Sequence, residues 1–125
     1  DADYVLKIDT VTQEVTTFGR SLEHEKISHT KWQNGFLGND RCIYAIPLSG
    51  RTVLKVNIDT QEVRTIAGVE EVRNSGEMER LNKWEGGVVG EDGALYCMPM
   101  VAKRVLRIDG AALGTGKVEV DQDAM

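Results

Sequence analysis

The sequence predicts an all-β protein built from repeated units of four antiparallel strands, and three observations support this fold class. KWQNGFLGNDRCIYAIP at residues 31–47 recurs as KWEGGVVGEDGALYCMP at residues 83–99, at an offset of 52. YVLKIDTVTQEV at residues 4–15 recurs as TVLKVNIDTQEV at residues 52–63, at an offset of 48, and RVLRID at residues 104–109 starts a third copy. Short runs rich in β-branched residues alternate with polar or glycine-containing turns, which is typical of hairpins. The chain is therefore a tandem repeat of short strands.

The two longer phrases superpose without a gap, whereas the offset differs by four residues between the two pairs of phrases. The difference must lie in the segment before each tryptophan, which is four residues longer between Ile66 and Trp84 than between Phe18 and Trp32. The sequence therefore predicts a variable loop in this segment. Seven positions are identical in the longer phrases: Lys31 and Lys83, Trp32 and Trp84, Gly35 and Gly87, Gly38 and Gly90, Asp40 and Asp92, Tyr44 and Tyr96, Pro47 and Pro99.

Residues 1–19 form the first predicted unit, a two-stranded hairpin. In VLKIDTVTQEVTTF, two runs rich in β-branched residues flank the polar turn at Asp9–Thr12. The Asp and Thr side chains of this turn can hydrogen-bond local backbone groups.

Each later unit is predicted to hold four strands joined by hairpin connections. In the second repeat, Asp92 followed by Gly93 supplies the positive φ values of a tight turn, whereas the first repeat has Asp40–Arg41 there, a weaker turn signal. Pro47 and Pro99 end a strand, because proline cannot donate to a central ladder. In the first repeat the predicted strands are Gly35–Leu37, Cys42–Ile46, Thr52–Ile58 and Glu62–Ile66.

Four antiparallel strands repeated at about 50 residues match the period of a β-propeller blade. On this interpretation residues 1–125 are a partial β-propeller, with a half blade at 1–19 and blades at 31–67 and 83–120. Closed propellers need at least four blades, so we expect an open segment of about two and a half blades. Its unpaired strand edges would be covered by a protein partner or by further propeller blades. An immunoglobulin-like sandwich and a β-solenoid are the alternatives, and the sandwich gives no reason for an internal repeat.

The repeat pattern W-x-G-G-V…D-G-x-L-Y-x-x-P…V-L-x-I-D…T-x-E-V-x-T-F covers almost the whole chain. It resembles propeller repeats of the kelch and related groups, and especially repeats in uncharacterised tandem-repeat proteins predicted from unicellular eukaryotes, algae among them. It differs from kelch in placing the Trp before the glycine pair, and in the first copy that pair is Asn34-Gly35. The hairpin phrase EVTTF is also similar to repeats of the streptogramin lyase propellers. Both resemblances imply a propeller fold.

The charge distribution disfavours nucleic acid as a ligand. The net charge is −5, and the fifteen basic residues are scattered among twenty acidic ones, whereas phosphate binding needs a concentrated basic surface. No apolar run approaches the roughly 18 residues of a membrane-spanning helix. The 41% hydrophobic and 28% charged fractions are typical of a soluble globular protein.

Few residues are candidates for catalysis or metal binding. His24 and His29, with Glu25, resemble the H-E-x-x-H zinc motif, but their spacing of five would put the imidazoles on different faces of a helix. No phosphate-binding glycine loop and no Gly-x-Ser-x-Gly elbow occur. We therefore predict no catalytic residue, metal site or cofactor. The glycine pair Gly86-Gly87 is explained by backbone crowding at an innermost strand.

The aromatic residues and cysteines are predicted to have structural roles. Trp32 and Trp84, just before the first strand of each repeat, are expected to wedge between neighbouring units; a stacking platform for a ligand is the alternative. Tyr44 and Tyr96 are expected to fill the space between units, with each phenol directed to a backbone carbonyl. Cys42 aligns with Ala94 and Cys97 with Ala45, which places the thiols on opposite faces of equivalent strands and disfavours a disulfide. Unpaired cysteines favour a reducing intracellular compartment.

The long connections of four-stranded units emerge on one side of the sheets, because successive strands run in opposite directions. They are residues 19–30, 47–51, 67–82 and 99–104, and we call this side the loop face. The opposite side has only tight turns. Since binding residues concentrate in loops on a rigid scaffold, the loop face is the predicted binding surface. The acidic insert at 67–82 is predicted to be helical. The candidate binding residues are Arg51, Lys103, Arg104, Glu70, Glu71 and Arg73.

Two classes of function are consistent with the sequence. The leading hypothesis is a noncatalytic propeller scaffold that binds another protein through its loop face, as a subunit of a larger assembly. The alternative is a segment of a propeller enzyme, a lyase or hydrolase similar to streptogramin lyase, whose acid–base residues would come from different blades.

Overall fold

The structure is a computed structural model that describes residues 2–25, 27, 29–68, 70–110 and 117–120. These residues form three antiparallel sheets with very little helix. The strands are β1 (Val5–Ile8), β2 (Val15–Phe18), β3 (Trp32–Leu37), β4 (Cys42–Pro47), β5 (Val53–Asn57), β6 (Val63–Ile66), β7 (Trp84–Val89), β8 (Leu95–Pro99), β9 (Leu106–Asp109) and β10 (Lys117–Val120). The prediction of an all-β, antiparallel fold is confirmed.

Every sheet follows the order of the sequence. The hairpin sheet contains β1 and β2, the middle sheet β3 to β6, and the last sheet β7 to β10, with each strand antiparallel to its neighbour. The predicted strands of the first repeat correspond to β3, β4, β5 and β6, although β3 begins at Trp32 instead of Gly35. Among the described residues, no helix has the length and apolar character needed to cross a membrane.

The polar turns between the outer strands use side-chain hydrogen bonds, as predicted for Asp9–Thr12. Asp9 Oδ1 accepts from the backbone N–H of Val11 at 2.9 Å and from that of Thr12 at 3.0 Å. Asn57, the equivalent residue of the middle sheet, accepts from the N–H groups of Asp59 and Thr60 at 2.9 and 3.0 Å. The repeated sequence therefore produces a repeated turn.

The glycine pair has a different explanation from the one expected. β7 carries a bulge between Trp84 and Gly87, and Gly86 within it has a φ of +73° with open space around its Cα. Crowding therefore explains only Gly87, where an added Cβ would lie 2.7 Å from the carbonyl oxygen of Tyr96 on β8. Asn34 occupies the equivalent bulge of β3 with a φ of +63°. The positive φ of this bulge position therefore favours Gly86, and Asn34 adopts the same angle in the first copy.

The sheets enclose two apolar clusters. The larger one lies between the middle and last sheets, and Trp84, which is fully buried, belongs to it. The smaller one joins the middle sheet to the hairpin sheet, and Trp32 packs against it while remaining half-buried. The indole N–H of Trp84 donates to the carbonyl of Arg104, and that of Trp32 to the carbonyl of Thr52, both at 2.7 Å. The predicted position of the tryptophans between neighbouring units is confirmed.

The predicted helical insert contains the helix α1 (Glu70–Ser75) and a 3-10 turn (Glu77–Glu79). Val72 and Met78 anchor it in the larger cluster, with exposed fractions of 0% and 4%. The insert is therefore packed against the sheets. A second 3-10 turn at Glu23–Glu25 lies in the corresponding connection of the preceding unit.

Candidate functional site

The long connections form one hydrogen-bonded surface on the loop face. The N–H of Leu48 donates to the carbonyl of Lys31 at 3.1 Å, and the N–H of Lys83 donates to the carbonyl of Leu48 at 2.7 Å. The carbonyl of Lys83 in turn accepts from the N–H of Met100 at 2.7 Å. Backbone hydrogen bonds therefore join each long connection to the preceding one.

Side chains continue this network. The hydroxyl of Thr52 donates to Glu25 Oε2 at 3.1 Å, and Ser49 Oγ accepts from the N–H of Asn82 at 3.0 Å. Because both contacts join different connections, the loops are held in fixed relative positions. Such a surface can present charged side chains in a defined arrangement.

The structure brings two of the predicted cations together at the insert. Arg51 Nε lies 3.0 Å from Glu79 Oε2, and both side chains are exposed. The backbone N–H of Lys103, which is also exposed, donates to Glu77 Oε2 at 3.3 Å. Arg104 follows directly, and its carbonyl is the acceptor for Trp84. Arg51 and Lys103 thus border the insert, and Arg104 adjoins them in the sequence.

The other predicted binding residues lie on α1. Glu70 and Arg73 are exposed there, and the side chain of Glu71 lies outside the described residues. In the part of the chain that the structure describes, no hydrogen bond or ion pair joins Glu70 or Arg73 to Arg51 or Lys103. The predicted binding residues therefore lie on the same face in two separate groups, one beside the 3-10 turn and one on α1.

Glu77 is a residue of this surface that the sequence did not single out. Its side chain is buried, with an exposed fraction of 5% for the residue, and pairs with Arg80 Nε at 3.6 Å. It also receives the N–H of Lys103 described above. Val72 and Met78 in an otherwise charged segment are the signal that part of the insert is buried.

Two lysines at equivalent positions are buried. Lys83 Nζ donates to the carbonyl oxygens of Gly50 and Arg80, and Lys31 Nζ donates to that of Ala2 at 3.2 Å. Ala2 and Gly50 are themselves equivalent in the repeat. The same side chain therefore ties each four-stranded sheet to the loop of the preceding unit.

Burial lowers the pKa of Lys83 to about 8, with the nearby Arg51 acting in the same direction and Glu79 opposing it. A lysine with a lowered pKa is a candidate nucleophile. Lys83, however, has an exposed fraction of 0% and donates to two carbonyls. Its geometry is that of a buried side chain that holds two loop carbonyls in place.

The tyrosines donate to carboxylates, so the prediction that they donate to backbone carbonyls is wrong. The phenol of Tyr44 donates to Asp40 Oδ2 at 2.6 Å, and that of Tyr96 donates to Asp92 Oδ2 at 2.6 Å. This hydrogen bond is the main cause that lowers the pKa of Asp92. Burial, followed by the hydrogen bond to Asp40, raises the pKa of Tyr44. The two aspartates therefore do more than shape turns.

A cation completes each Asp–Tyr pair. Lys55 Nζ lies 3.6 Å from Asp40 Oδ2 in the middle sheet, and Arg107 Nη2 lies 3.3 Å from Asp92 Oδ2 in the last sheet. Lys55 and Arg107 occupy equivalent positions. Because the arrangement occurs in both repeats with either cation, we interpret it as a structural motif of the sheet.

The remaining candidates for covalent or metal chemistry are few. Cys42 and Cys97 are free and buried, and burial raises the pKa of both thiols, that of Cys97 to about 12. His24 Nε2 lies 3.4 Å from Glu25 Oε1. Within the described residues, no group of three or more His, Cys, Asp or Glu side chains is arranged to hold a metal ion.

Comparisons with protein-family models, with curated proteins and with solved structures found no match to this chain.

Proposed function

We propose that the chain is a noncatalytic scaffold, an open segment of a β-propeller, that binds another protein through its loop face. The partner engages charged side chains around the insert, with the exposed Arg51 and Lys103 and the half-buried Arg104 on one side and α1 on the other. Further propeller blades or other protein cover the open sheets at the two ends of the segment.

The repeated packing supports the propeller part of this proposal. The middle and last sheets are four-stranded antiparallel meanders with the same strand order, and β7 contacts both β3 and β4. An equivalent tryptophan and an equivalent lysine join each of these sheets to the preceding unit: Trp32 and Lys31 for the middle sheet, Trp84 and Lys83 for the last sheet. Regular face-to-face packing of four-stranded meanders is the arrangement of propeller blades.

One observation carries the binding part of the proposal. The long connections are hydrogen-bonded to one another, whereas the opposite side of the sheets has the short turns. The exposed ion pair between Arg51 and Glu79 contributes little to stability, since such pairs are typically worth under about 1 kcal/mol. Its groups are therefore available for contacts with a partner.

Charge reversal tests the proposal. Proteins retained from the source organism's extract by the immobilised chain would be quantified by mass spectrometry for three forms. These are the unmodified chain, the triple variant Arg51→Glu, Lys103→Glu, Arg104→Glu, and the control Arg64→Glu. Arg64 is a suitable control because it is also exposed and pairs with an exposed carboxylate, that of Glu62 at 3.8 Å, but lies on β6 outside the loop face.

We expect at least one protein to be retained by the unmodified chain and the control and lost by the triple variant. The binding of this protein to each purified form of the chain is then measured. We expect the unmodified chain and the control to bind it more tightly than the triple variant does. Equal retention by all three forms, or stronger loss in Arg64→Glu, would place the binding surface elsewhere.

A further inference from the structure

An open apolar groove of about 330 Å³ separates β1 from the middle sheet. Val5 of β1 lines one side, and Ile43, Leu54 and Ile58 line the other. Ile43 and Ile58 are 39% and 38% exposed, which is high for isoleucines that share a groove with buried residues. The feature to be explained is why the face of β4 is open here.

The repeat itself shows what covers this face in the next unit. Leu95 of the last sheet is equivalent to Ile43, yet its exposed fraction is only 4%. Phe36 of β3 and Tyr44 of β4 line the small space beside Leu95. The β3–β4 hairpin therefore covers the last sheet at the position that is open on the middle sheet.

The hairpin sheet lacks such a pair of strands in the described part of the chain. β1 is equivalent to β5, and β5 pairs with β6 on one edge and with β4 on the other. β1 pairs with β2 alone among the described residues, so its second edge is open. The groove and this open edge lie side by side.

We propose that the groove binds a β-hairpin of the β3–β4 type from a further repeat, which extends the hairpin sheet at the open edge of β1. Strand addition supplies backbone hydrogen bonds, and the apolar groove supplies side-chain contacts. Tyr44 lies opposite Lys55 in the middle sheet, so the corresponding residue of the added strand lies opposite Lys7. This inference rests on the proposed propeller segment and is independent of the loop face.

The groove also selects the occupant. Gly110 at the end of β9 leaves room for Tyr44, because a Cβ there would lie 2.7 Å from the phenol oxygen. Its equivalent in the middle sheet is Ile58, which lines the groove and whose side chain is larger than glycine, so it leaves less room for a phenol. Likewise Gly93 lies against Asn39, and its equivalent is Arg41. The added hairpin therefore carries residues smaller than Tyr and Asn at these two positions.

Two synthetic peptides test whether the groove binds such a hairpin and selects small residues at these two positions. Both have the sequence of residues 31–47 with Cys42→Ala, the residue of the other repeat. The small-residue peptide also has Asn39→Gly and Tyr44→Val, whereas the native-type peptide keeps Asn39 and Tyr44. Each is titrated into the full chain with labelled isoleucine methyl groups, and chemical shifts and calorimetric affinity are measured.

We expect saturable binding of the small-residue peptide, with the largest shifts at Ile43 and Ile58, and at least tenfold weaker binding of the native-type peptide. Ile43→Glu abolishes binding, while the control Val88→Glu, at an exposed apolar residue of β7, retains it. A melting curve for each variant establishes that it is folded.

Different results would contradict the groove as the binding site, the selection of small residues and the loop-face proposal. No binding of the small-residue peptide, or unchanged binding to folded Ile43→Glu, would overturn the groove as its site. Equal affinity for the two peptides would overturn selection by Ile58 and Arg41. The triple variant at Arg51, Lys103 and Arg104 should bind the small-residue peptide normally, so failure of the loop-face proposal is recognised separately.

Discussion

Trp84 contributes the largest fully buried side chain of the described residues, at the contact between the middle and last sheets. Removing it leaves a cavity and removes the hydrogen bond from the indole to the carbonyl of Arg104. We expect Trp84→Ala to lower the free energy of unfolding by about 3–5 kcal/mol, as for other large buried aromatics. Trp32→Ala should cost less, because Trp32 is half-buried. Urea denaturation measures both, and a smaller loss for Trp84→Ala than for Trp32→Ala would contradict the packing described.

Lys83 predicts a specific pH dependence of stability. Its pKa of about 8 in the folded chain lies below the ordinary value of 10.5. Below pH 8 both folded and unfolded chains hold the proton, and the full cost of burying the charge is present. Between pH 8 and 10.5 the unfolded chain binds more protons, so stability rises with pH. The difference between these values corresponds to roughly 3 kcal/mol.

The variant Lys83→Met isolates this effect, because other groups titrate alike in both proteins. Denaturation from pH 7 to 10.5 should show the unmodified chain gaining stability relative to the variant. A relative loss over this range would mean that the charged form is favoured in the folded chain.

Trp84 and Lys83 also show which roles of single residues can be predicted from the sequence. Trp84 was predicted to lie between units because a large apolar side chain recurs at the same point of each repeat. The burial of Lys83 was not predicted, because lysine is rarely enclosed and its partners are backbone carbonyls that leave no sequence signal. The same applies to Tyr44 and Tyr96, whose aspartate partners were interpreted as turn residues alone.

The bulge of β7 provides a prediction at the scale of a single element. Gly86→Ala should cost about 1 kcal/mol, because a φ of +73° is unfavourable for alanine although space is available for its Cβ. Gly87→Ala should cost more, about 2–3 kcal/mol, since its Cβ would lie 2.7 Å from the carbonyl of Tyr96.

Gly35→Ala is the matched control, because the nearest atom to its added Cβ is 3.3 Å away, on the side chain of Ile43. It should therefore be milder than Gly87→Ala. Thermal melting of the three variants checks the order, and an equal or greater loss for Gly86→Ala than for Gly87→Ala would show that the positive φ of Gly86 costs more than the close contact at Gly87.

The strands and turns were largely predictable because two copies of each phrase indicate the same boundaries. The start of β3 was missed by three residues, since Trp32 was expected before the strand. The bulge was missed because a glycine pair is compatible with crowding and with positive φ alike. For the loop face, the sequence located the long connections but not their contacts, such as that between Glu77 and Lys103, because these depend on tertiary packing.

At the scale of the whole molecule, both end sheets expose apolar side chains. Leu6, Ile8 and Val15 of the hairpin sheet are 58%, 60% and 58% exposed. Met98 and the connection after β8 are also exposed, with Met100 at 54% and Val101 at 51%. Exposed apolar sheet surfaces of this kind favour association. The repeat accounts for them, because the equivalent surfaces of the middle sheet are packed against a neighbour.

Light scattering coupled to gel filtration shows whether the chain is an open segment that associates with other protein. We expect a mass that exceeds 13.8 kDa and increases with concentration, as the open end sheets associate. Charged substitutions at Leu6 and Met98 should reduce this increase without unfolding the chain. A monodisperse 13.8 kDa monomer at every concentration, with melting unchanged by these substitutions, would contradict the open-segment account and favour a self-contained sandwich.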